Sequence, residues 1–551
     1  MRKVFFFGAI IVVGILIGVY IQPLISSDNI YNQVRKLELV LNTASKNYVE
    51  EVDTQKMVEA AIKGMLGELD VHSVYISAEE QKKVDEDFKG SFDGIGVQFD
   101  VLNDTIVIVS PIPGGPSEKL GVLSGDKIIK IDGINAVGMD RNEVPKKLRG
   151  LKGTFVKIDV MRSGEKNLIP FDIERDKIPL NTVDASFMIE GTDIGIITVN
   201  RFAQTTHDEM MDSLNVLKSL GMKRLILDLR NNPGGLLNQA YMMADEFSKA
   251  GDTIVYTKGR KATFDEVYIS RGGYEFSKLP LIVLVNAGSA SASEIVSGAI
   301  QDLDRGLIVG ETSFGKGLVQ RPYEIGDGSV FRLTIAKYFT PSGRCIQRPY
   351  HDKDKYRHLE GRLNLEEGSY IYDAYTKITD QVKRINDTTK KESDKIDLSS
   401  LPLYKTRNGR TVFGGGGVTP DYIVDQDTIT RFGGELRKKN LFFEFTNLYF
   451  SGKGKELRSK YQHNYADFMK NYSINDNAMN EFKELAIKKG ITWDDKAYKI
   501  DEDFFKTYIK AYIAQSIWNR SKFMQVFYTM DKQVLKASEL FPEAQKIAKI
   551  K

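Results

Sequence analysis

The chain has 551 residues, 42% of them hydrophobic and 27% charged, with a formal net charge of +3. That length exceeds what one core fills and points to roughly three to four domains, while the near-balanced charge gives no electrostatic reason for a nucleic-acid partner. One cysteine, Cys345, excludes an internal disulfide and a cysteine-built metal centre, and five scattered histidines without H-E-x-x-H spacing argue against a metal hydrolase, so neither metal nor cofactor is expected.

Met1-Arg2-Lys3 precedes an apolar run from Val4 to Tyr20 that continues through Leu24-Ile25. Basic residues before such a run fit a membrane anchor or signal sequence over residues 1–25, and either implies export. No small-x-small cleavage site follows, which favours an uncleaved anchor. Residues 28–85 place Val34, Leu37, Val40, Leu41 and then Met57, Ala60, Ala61, Met65 and Leu66 at helical spacing. Two amphipathic helices are expected there, packing on a partner element or another subunit. His72 follows them as a lone histidine and reads as structural.

From about Phe88 the texture changes to short strands and glycine turns. Gly94-Ile95-Gly96-Val97 leads into the alternation Val97, Phe99, Val101, and Thr105–Val109 follows an Asn-Asp turn. Then come Pro113-Gly114-Gly115-Pro116-Ser117, a short helix, Gly125-Asp126-Lys127-Ile128-Ile129-Lys130-Ile131-Asp132-Gly133, a helix at Val144–Leu148 and a strand at Phe155–Met161. Over residues 88–173 this resembles a PDZ domain. The resemblance implies that backbone N–H groups of the loop Gly94, Ile95, Gly96 and Val97 hold a peptide's C-terminal carboxylate while the peptide adds a strand.

After Lys177 apolar strands alternate with helical stretches. The strands are Ile194–Val199, Leu225–Leu229, Leu281–Val285 and Leu307–Val309, with helices expected at 206–220, 236–249 and 291–303. That alternation predicts a layered α/β core with a partly parallel sheet across residues 178–427. The second strand runs into Asn231-Asn232-Pro233-Gly234-Gly235, a turn whose glycines suit close backbone approach to an anion or oxyanion as well as a plain β–α turn. The third runs into Asn286-Ala287-Gly288 and then S-A-S-A-S-E, where Ser291 and Glu294 fit a capping box at a helix start. Further on, Lys316 lies between Gly315 and Gly317, with Gln320 four residues beyond. These residues alone allow either a Ser–Lys catalytic pair or an ordinary cap beside a surface lysine. Residues 345–405 read as a polar surface insertion and Tyr422–Val424 as a last strand. Residues 428–551 read as a Lys-rich helical domain whose stripes (Leu441, Phe442, Phe445, Leu448; Phe504, Tyr508, Tyr512, Ile517) are core rather than ligand-binding.

In chain order, the exported N-terminus, the PDZ-like region, D-L-R-N-N-P-G-G, N-A-G-S-A-S-A-S-E and G-K-G-L-V-Q together resemble the C-terminal processing peptidases, or tail-specific proteases, over about residues 28–425. The resemblance implies a multidomain α/β protein: a crotonase-like α/β protease core, an inserted PDZ domain, N-terminal helices and an α-helical C-terminal domain. It implies Ser291 as nucleophile, Lys316 as general base, Gln320 as the residue that positions the lysine, Ala292 N–H and Gly235 as the oxyanion hole, and a structural role for Asp302. Lysine serves as a base only when neutral, so its pKa must fall from about 10.4 to about 7–8, a cost of roughly 4 kcal/mol that calls for a partly closed site. The expected partners are proteins or peptides with apolar C-terminal tails and, through residues 1–25, the membrane, in a bacterial periplasm. A homo-oligomer or an adaptor bound by the helical tail stays open, as does a tail-binding scaffold with an idle protease fold.

Overall fold

The computed structural model describes residues 29–348, 402–426 and 429–550. It divides into two compact units, one running through Ala78 and including Pro322–Leu333, the other made of Glu79–Arg321 and the chain from Thr334 onward. The anchor read at residues 1–25, and residues 349–401 of the insertion, lie outside the described residues. Among the described residues no helix is long and apolar enough to cross a membrane.

In the first unit the two expected helices span Ile30–Asn47 and Thr54–Gly67. Asn29 and Asp53 cap them by accepting from Tyr31 N–H and Lys56 N–H. The first helix buries no residue, so Ile30, Val34, Leu37 and Val40 remain exposed. His72 is buried in a turn whose Asp70 carboxylate accepts from His72 N–H, Ser73 N–H and Ser73 Oγ. The strand that follows, Val74–Ile76, pairs antiparallel with Val330–Arg332.

The second unit begins with the PDZ-like region. Strands Val97–Leu102, Thr105–Pro111, Lys127–Ile131, Phe155–Met161 and Ile169–Glu174 form an antiparallel sheet. Asn103 and Asp104 both adopt positive φ in the two-residue turn between the first pair, the geometry a tight hairpin demands. Alternate residues of these strands face a core of their own that contains Ile106, Ile108, Ile128, Ile158 and Val160.

The central sheet runs β1 (Val183–Met188), β2 (Ile194–Val199), β3 (Arg224–Asp228), β4 (Leu281–Val285), β5 (Leu307–Gly310) and β6 (Tyr422–Ile423), in spatial order. β1 is antiparallel to β2; every other neighbouring pair is parallel. β2, β4 and β5 are buried along their whole length, which explains why they read as continuous apolar runs: both faces are covered. On one face Ile197, Leu227, Val283, Val285 and Ile308 join residues of α1 (Thr206–Ser219), α2 (Leu237–Asp245) and α3 (Ala292–Asp302). On the other, Ile196, Ile226, Ile282, Leu284 and Val309 meet Tyr528, Val534, Ala537, Leu540, Phe541 and Ala544.

That second cover comes from the C-terminal helices, of which α4 (Arg520–Phe527), α5 (Lys532–Glu539) and α6 (Phe541–Ala548) are the last three. The helices before them, from Arg431 to Ile517, enclose a separate aromatic core in which Phe442 meets Phe505 edge-on at 5.0 Å and stacks on Phe482 at 5.0 Å. The stripes read as core behave so at Leu441, Phe442, Phe445 and Phe504, while Leu448 is exposed. The same helical region touches the PDZ hairpin, where Glu444 pairs with Lys489 at 2.7 Å and accepts from Asn103 Nδ2 at 3.1 Å.

Candidate active site

The connection from β4 to α3 is built from small residues because no space is left for larger ones. All eleven residues of α3 are buried, Glu294 included. Asn286 organises the loop: its N–H donates to Ser289 Oγ at 2.9 Å, and its Oδ1 accepts from Gly288 N–H at 3.0 Å. The chain then reaches Ser291 at φ 53° and ψ −109°, a conformation that costs a non-glycine residue on the order of 1–3 kcal/mol. The capping box read from the sequence forms there, with Ser291 N–H donating to Glu294 Oε2 at 2.8 Å. Ser291 itself is only partly buried, held on a strained strand-to-helix turn and open on one side.

Glu294 does more than cap. The same Oε2 accepts Lys316 N–H at 2.9 Å, while Oε1 accepts Gly315 N–H at 2.7 Å and Ser313 Oγ at 2.5 Å. Burial pushes the Glu294 carboxyl above its ordinary pKa, and the four donors pull against that shift. Tyr338 closes the pair from the other side: its hydroxyl lies 2.6 Å from the Lys316 carbonyl and 3.0 Å from the Ser291 carbonyl. One carboxylate oxygen and one phenol therefore tie the backbones of Ser291 and Lys316 together. The glycines around Lys316 answer to packing. A Cβ at Gly315 would lie 3.0 Å from Gly417 N, and one at Gly317 2.9 Å from Gln347 N. Lys316 is partly buried, and Gln320, also partly buried, stands on the strand Leu318–Glu324 that follows.

The turn after β3 lies against Ser291. A Cβ at Gly234 would lie 2.8 Å from Ser291 Cβ and 2.9 Å from Ala292 N, so only glycine fits. Gly234 N–H is already given to Asn232 Oδ1 at 2.9 Å. Gly235, exposed and at φ 144°, gives its N–H to no partner among the described residues, and neither does Ala292 at the first position of α3. Two reciprocal bonds join this turn to the serine loop: Asn231 N–H to Asn286 Oδ1 at 2.8 Å and Asn286 Nδ2 to Asn231 Oδ1 at 3.0 Å. Ala290 N–H adds a third, to Asn232 O at 3.0 Å.

Models of known families cover most of the described chain. Peptidase family S41 matches residues 193–355, a PDZ domain residues 94–172 and the N-terminal domain of the activating protease CtpB residues 22–80. A family of unknown function matches residues 433–519. A carboxy-terminal-processing protease of Bartonella bacilliformis is 39% identical over 352 residues, 63% of this chain and 80% of its own length. The chain belongs to the carboxy-terminal processing proteases. The carboxy-terminal processing protease CtpA of Bacillus subtilis is 40% identical over 317 residues, 57% of this chain and 66% of its own. A solved photosystem II D1 C-terminal processing protease is 29% identical, covering 56% of this chain and 83% of that one with a TM-score of 0.32.

In this S41 peptidase most of the residues singled out from sequence fall in two places, with Gln320 apart on the strand Leu318–Glu324 and Asp302 at the end of α3. Ser291, Ala292, Gly234, Gly235 and Lys316 come together around Glu294, Tyr338 and the Asn231–Asn286 pair. Gly94–Val97 lie in the PDZ domain. There Ile95 is buried and turns its carbonyl to Ser117 N–H and Oγ, while the Ile95 and Gly96 N–H groups take no partner among the described residues. Asp302 forms a fully buried ion pair with Arg344 at 2.8 Å. Sequence reasoning missed what Glu294 and Tyr338 do. The available signal for Glu294 was a carboxylate in the first turn of a helix made mainly of small and apolar residues, with Ser293, Ser297, Gln301 and Asp302 as the other polar ones, where burial demands several donors.

Proposed function

We propose that this peptidase hydrolyses proteins near their C-termini by a Ser291–Lys316 mechanism. Neutral Lys316 removes the Ser291 hydroxyl proton as Oγ attacks the scissile carbonyl, and the amine, steadied by the Gln320 amide, returns that proton to the leaving nitrogen. The Ala292 and Gly235 N–H groups stabilise the tetrahedral oxyanion, each worth about 2.7–4 kcal/mol by the usual measure of such donors. Water then attacks the acyl-enzyme with Lys316 again as base. Gln320 suits this task because an amide holds an amine without supplying the negative charge that would keep it protonated.

The observation that carries the reading is the sharing of Glu294 Oε2 and the Tyr338 hydroxyl by the backbones of Ser291 and Lys316, beside two unclaimed N–H donors. The unclaimed N–H groups at Ile95 and Gly96 support capture of a substrate's C-terminal carboxylate in the PDZ domain. On the same reading the protein is exported to the periplasm and anchored by residues 1–25. The test is incubation of purified protein with a substrate protein ending in an apolar tail, with fragment masses read by mass spectrometry. Wild type cleaves, while Ser291→Ala and Lys316→Ala do not. Cleavage by both variants at the wild-type rate overturns the mechanism, and loss of wild-type cleavage in EDTA would point to a metal instead.

A further inference from the structure

The turn that carries Gly235 is held by the serine loop, by Phe202, whose N–H donates to Gly234 O and whose carbonyl accepts Leu236 N–H, both at 2.9 Å, and, ahead of it in the chain, by the C-terminal helical region. Asp228 ends β3 and Arg230 follows two residues on. The Arg230 guanidinium grips Asp228 through Nε (2.9 and 3.1 Å) and NH2 (2.6 Å), and turns NH1 to Asp531 Oδ2 at 2.7 Å and Gln533 Oε1 at 2.8 Å. Tyr528 donates its hydroxyl to Asp228 Oδ2 at 2.6 Å and lies 3.1 Å from Thr198 Oγ1. Asp228, Tyr528, Asp531 and Gln533 are all buried, so these bonds work out of water, where leaving a charge unpaired is costly. Asp531 has a second task, accepting Gln533 N–H and Val534 N–H through Oδ1 as the cap of α5.

Immediately after Arg230 comes Asn231 at φ 57°, bonded to Asn286 of the serine loop, and then the Asn232–Gly235 turn. The turn is thus pinned by the serine loop and by Phe202 at Gly235 itself, while the chain that enters it is fixed by a guanidinium whose orientation is set by residues some 300 positions away in sequence. Asp228 alone could pair with Arg230 in several geometries. Adding Asp531 and Gln533 on NH1, and Tyr528 on the shared carboxylate, leaves one.

We propose that Tyr528 and Asp531 are positioning residues for peptide hydrolysis, setting through Arg230 the place of the Gly235 N–H. This rests on Ser291 being the nucleophile and on that N–H serving the oxyanion. Two conservative variants separate positioning from mere docking. Asp531→Asn keeps an oxygen to cap α5 and removes the charge facing Arg230. Tyr528→Phe keeps the ring in its packing and removes only the hydroxyl. In the full-length protein each lowers kcat by about 10- to 100-fold, a part of the 10²–10³ lost with a whole oxyanion donor, and leaves KM near wild type because substrate binding is untouched. Wild-type kcat in both variants overturns the proposal, as does a loss confined to the thermal unfolding midpoint or a change carried by KM. Ser291→Ala runs in the same assay: if it cleaves like wild type the nucleophile assignment fails, whereas an inactive Ser291→Ala beside fully active Asp531→Asn and Tyr528→Phe defeats this inference alone.

Discussion

Replacing Glu294 by glutamine exchanges a group with two acceptor oxygens for one acceptor and one donor, at a site where all four neighbours donate. With the amide oxygen in the Oε2 position, Ser291 N–H and Lys316 N–H keep an acceptor, and the NH2 group faces Gly315 N–H and the Ser313 hydroxyl. Ser313 Oγ, which already accepts from Val418 N–H at 2.7 Å, can take the amide N–H on its second lone pair only by giving up its own donation to a carboxylate, and a backbone N–H cannot turn to accept. The opposite orientation sets the NH2 against Ser291 and Lys316 instead. Either way two charge-assisted bonds are lost, at about 1.5–3 kcal/mol each, or roughly 3–6 kcal/mol together. Ser291 at φ 53° is held by this carboxylate, so the loop should open about 10²–10⁴-fold more often. Hydrogen exchange over residues 286–302, read by mass spectrometry, reports that opening, and kcat on a tailed substrate falls with it. Wild-type exchange in this stretch together with wild-type kcat would refute the idea that the carboxylate joins Ser291 to Lys316.

Three further outcomes are open to measurement. Gly234→Ala sets a methyl 2.8 Å from Ser291 Cβ and 2.7 Å from Ala290 O at φ 101°, so activity should be lost while the PDZ domain still binds a tail peptide; an active variant would mean that the turn can move away at no cost. Ending the chain after Ile517 removes Tyr528, Val534, Leu540 and Phe541 from the sheet, about 6–12 kcal/mol of burial against a typical stability of about 5–15, so the product should aggregate or bind hydrophobic dyes, and a soluble, active truncation would contradict this. His207 has its pKa raised, first by the hydrogen bond from Nε2 to Glu246 at 2.9 Å and less by Asp208. Its contribution is therefore full below the unfolded value of about 6.5 and is lost as pH rises through the higher folded value, so the unfolding midpoint should fall across that window in wild type and less in Glu246→Gln; parallel curves would exclude the linkage.

The sheet was legible because burial on both faces leaves a plain mark. Leu281–Val285 matches β4 residue for residue, and Leu225–Leu229 is displaced from β3 by one. Val183–Met188 left no such mark, since its Asp184 and Ser186 interrupt the apolar pattern and its place is set by pairing with β2. Val74–Ile76 was unreadable for a related reason, being a three-residue strand whose partner lies at Val330–Arg332. At the site, the turn at Ser291 could be read from S-x-x-E, but the bond from Glu294 to Lys316 could not, because a capping carboxylate shows only one of its partners in local sequence. The aromatic stripes of the C-terminal helices announced a core. Periodicity names a buried face without naming what buries it, so the docking of α4–α6 on the sheet had no signature.

That docking also dictates an order of events during synthesis. Val309 of β5 and Phe541 of α6 share one cluster, yet roughly 230 residues separate them. At about 5–20 residues per second, the sheet waits about ten to fifty seconds with one face bare after its fifth strand has been made. A nascent chain in that interval shows an apolar surface that recruits chaperones or aggregates. It also holds Ser291 and Lys316 while Arg230 still lacks Asp531 and Tyr528. A hydrolase that acts on protein tails thus carries the last pieces of its sheet cover at the far end of its own chain, and finishes its fold only after those residues have been made.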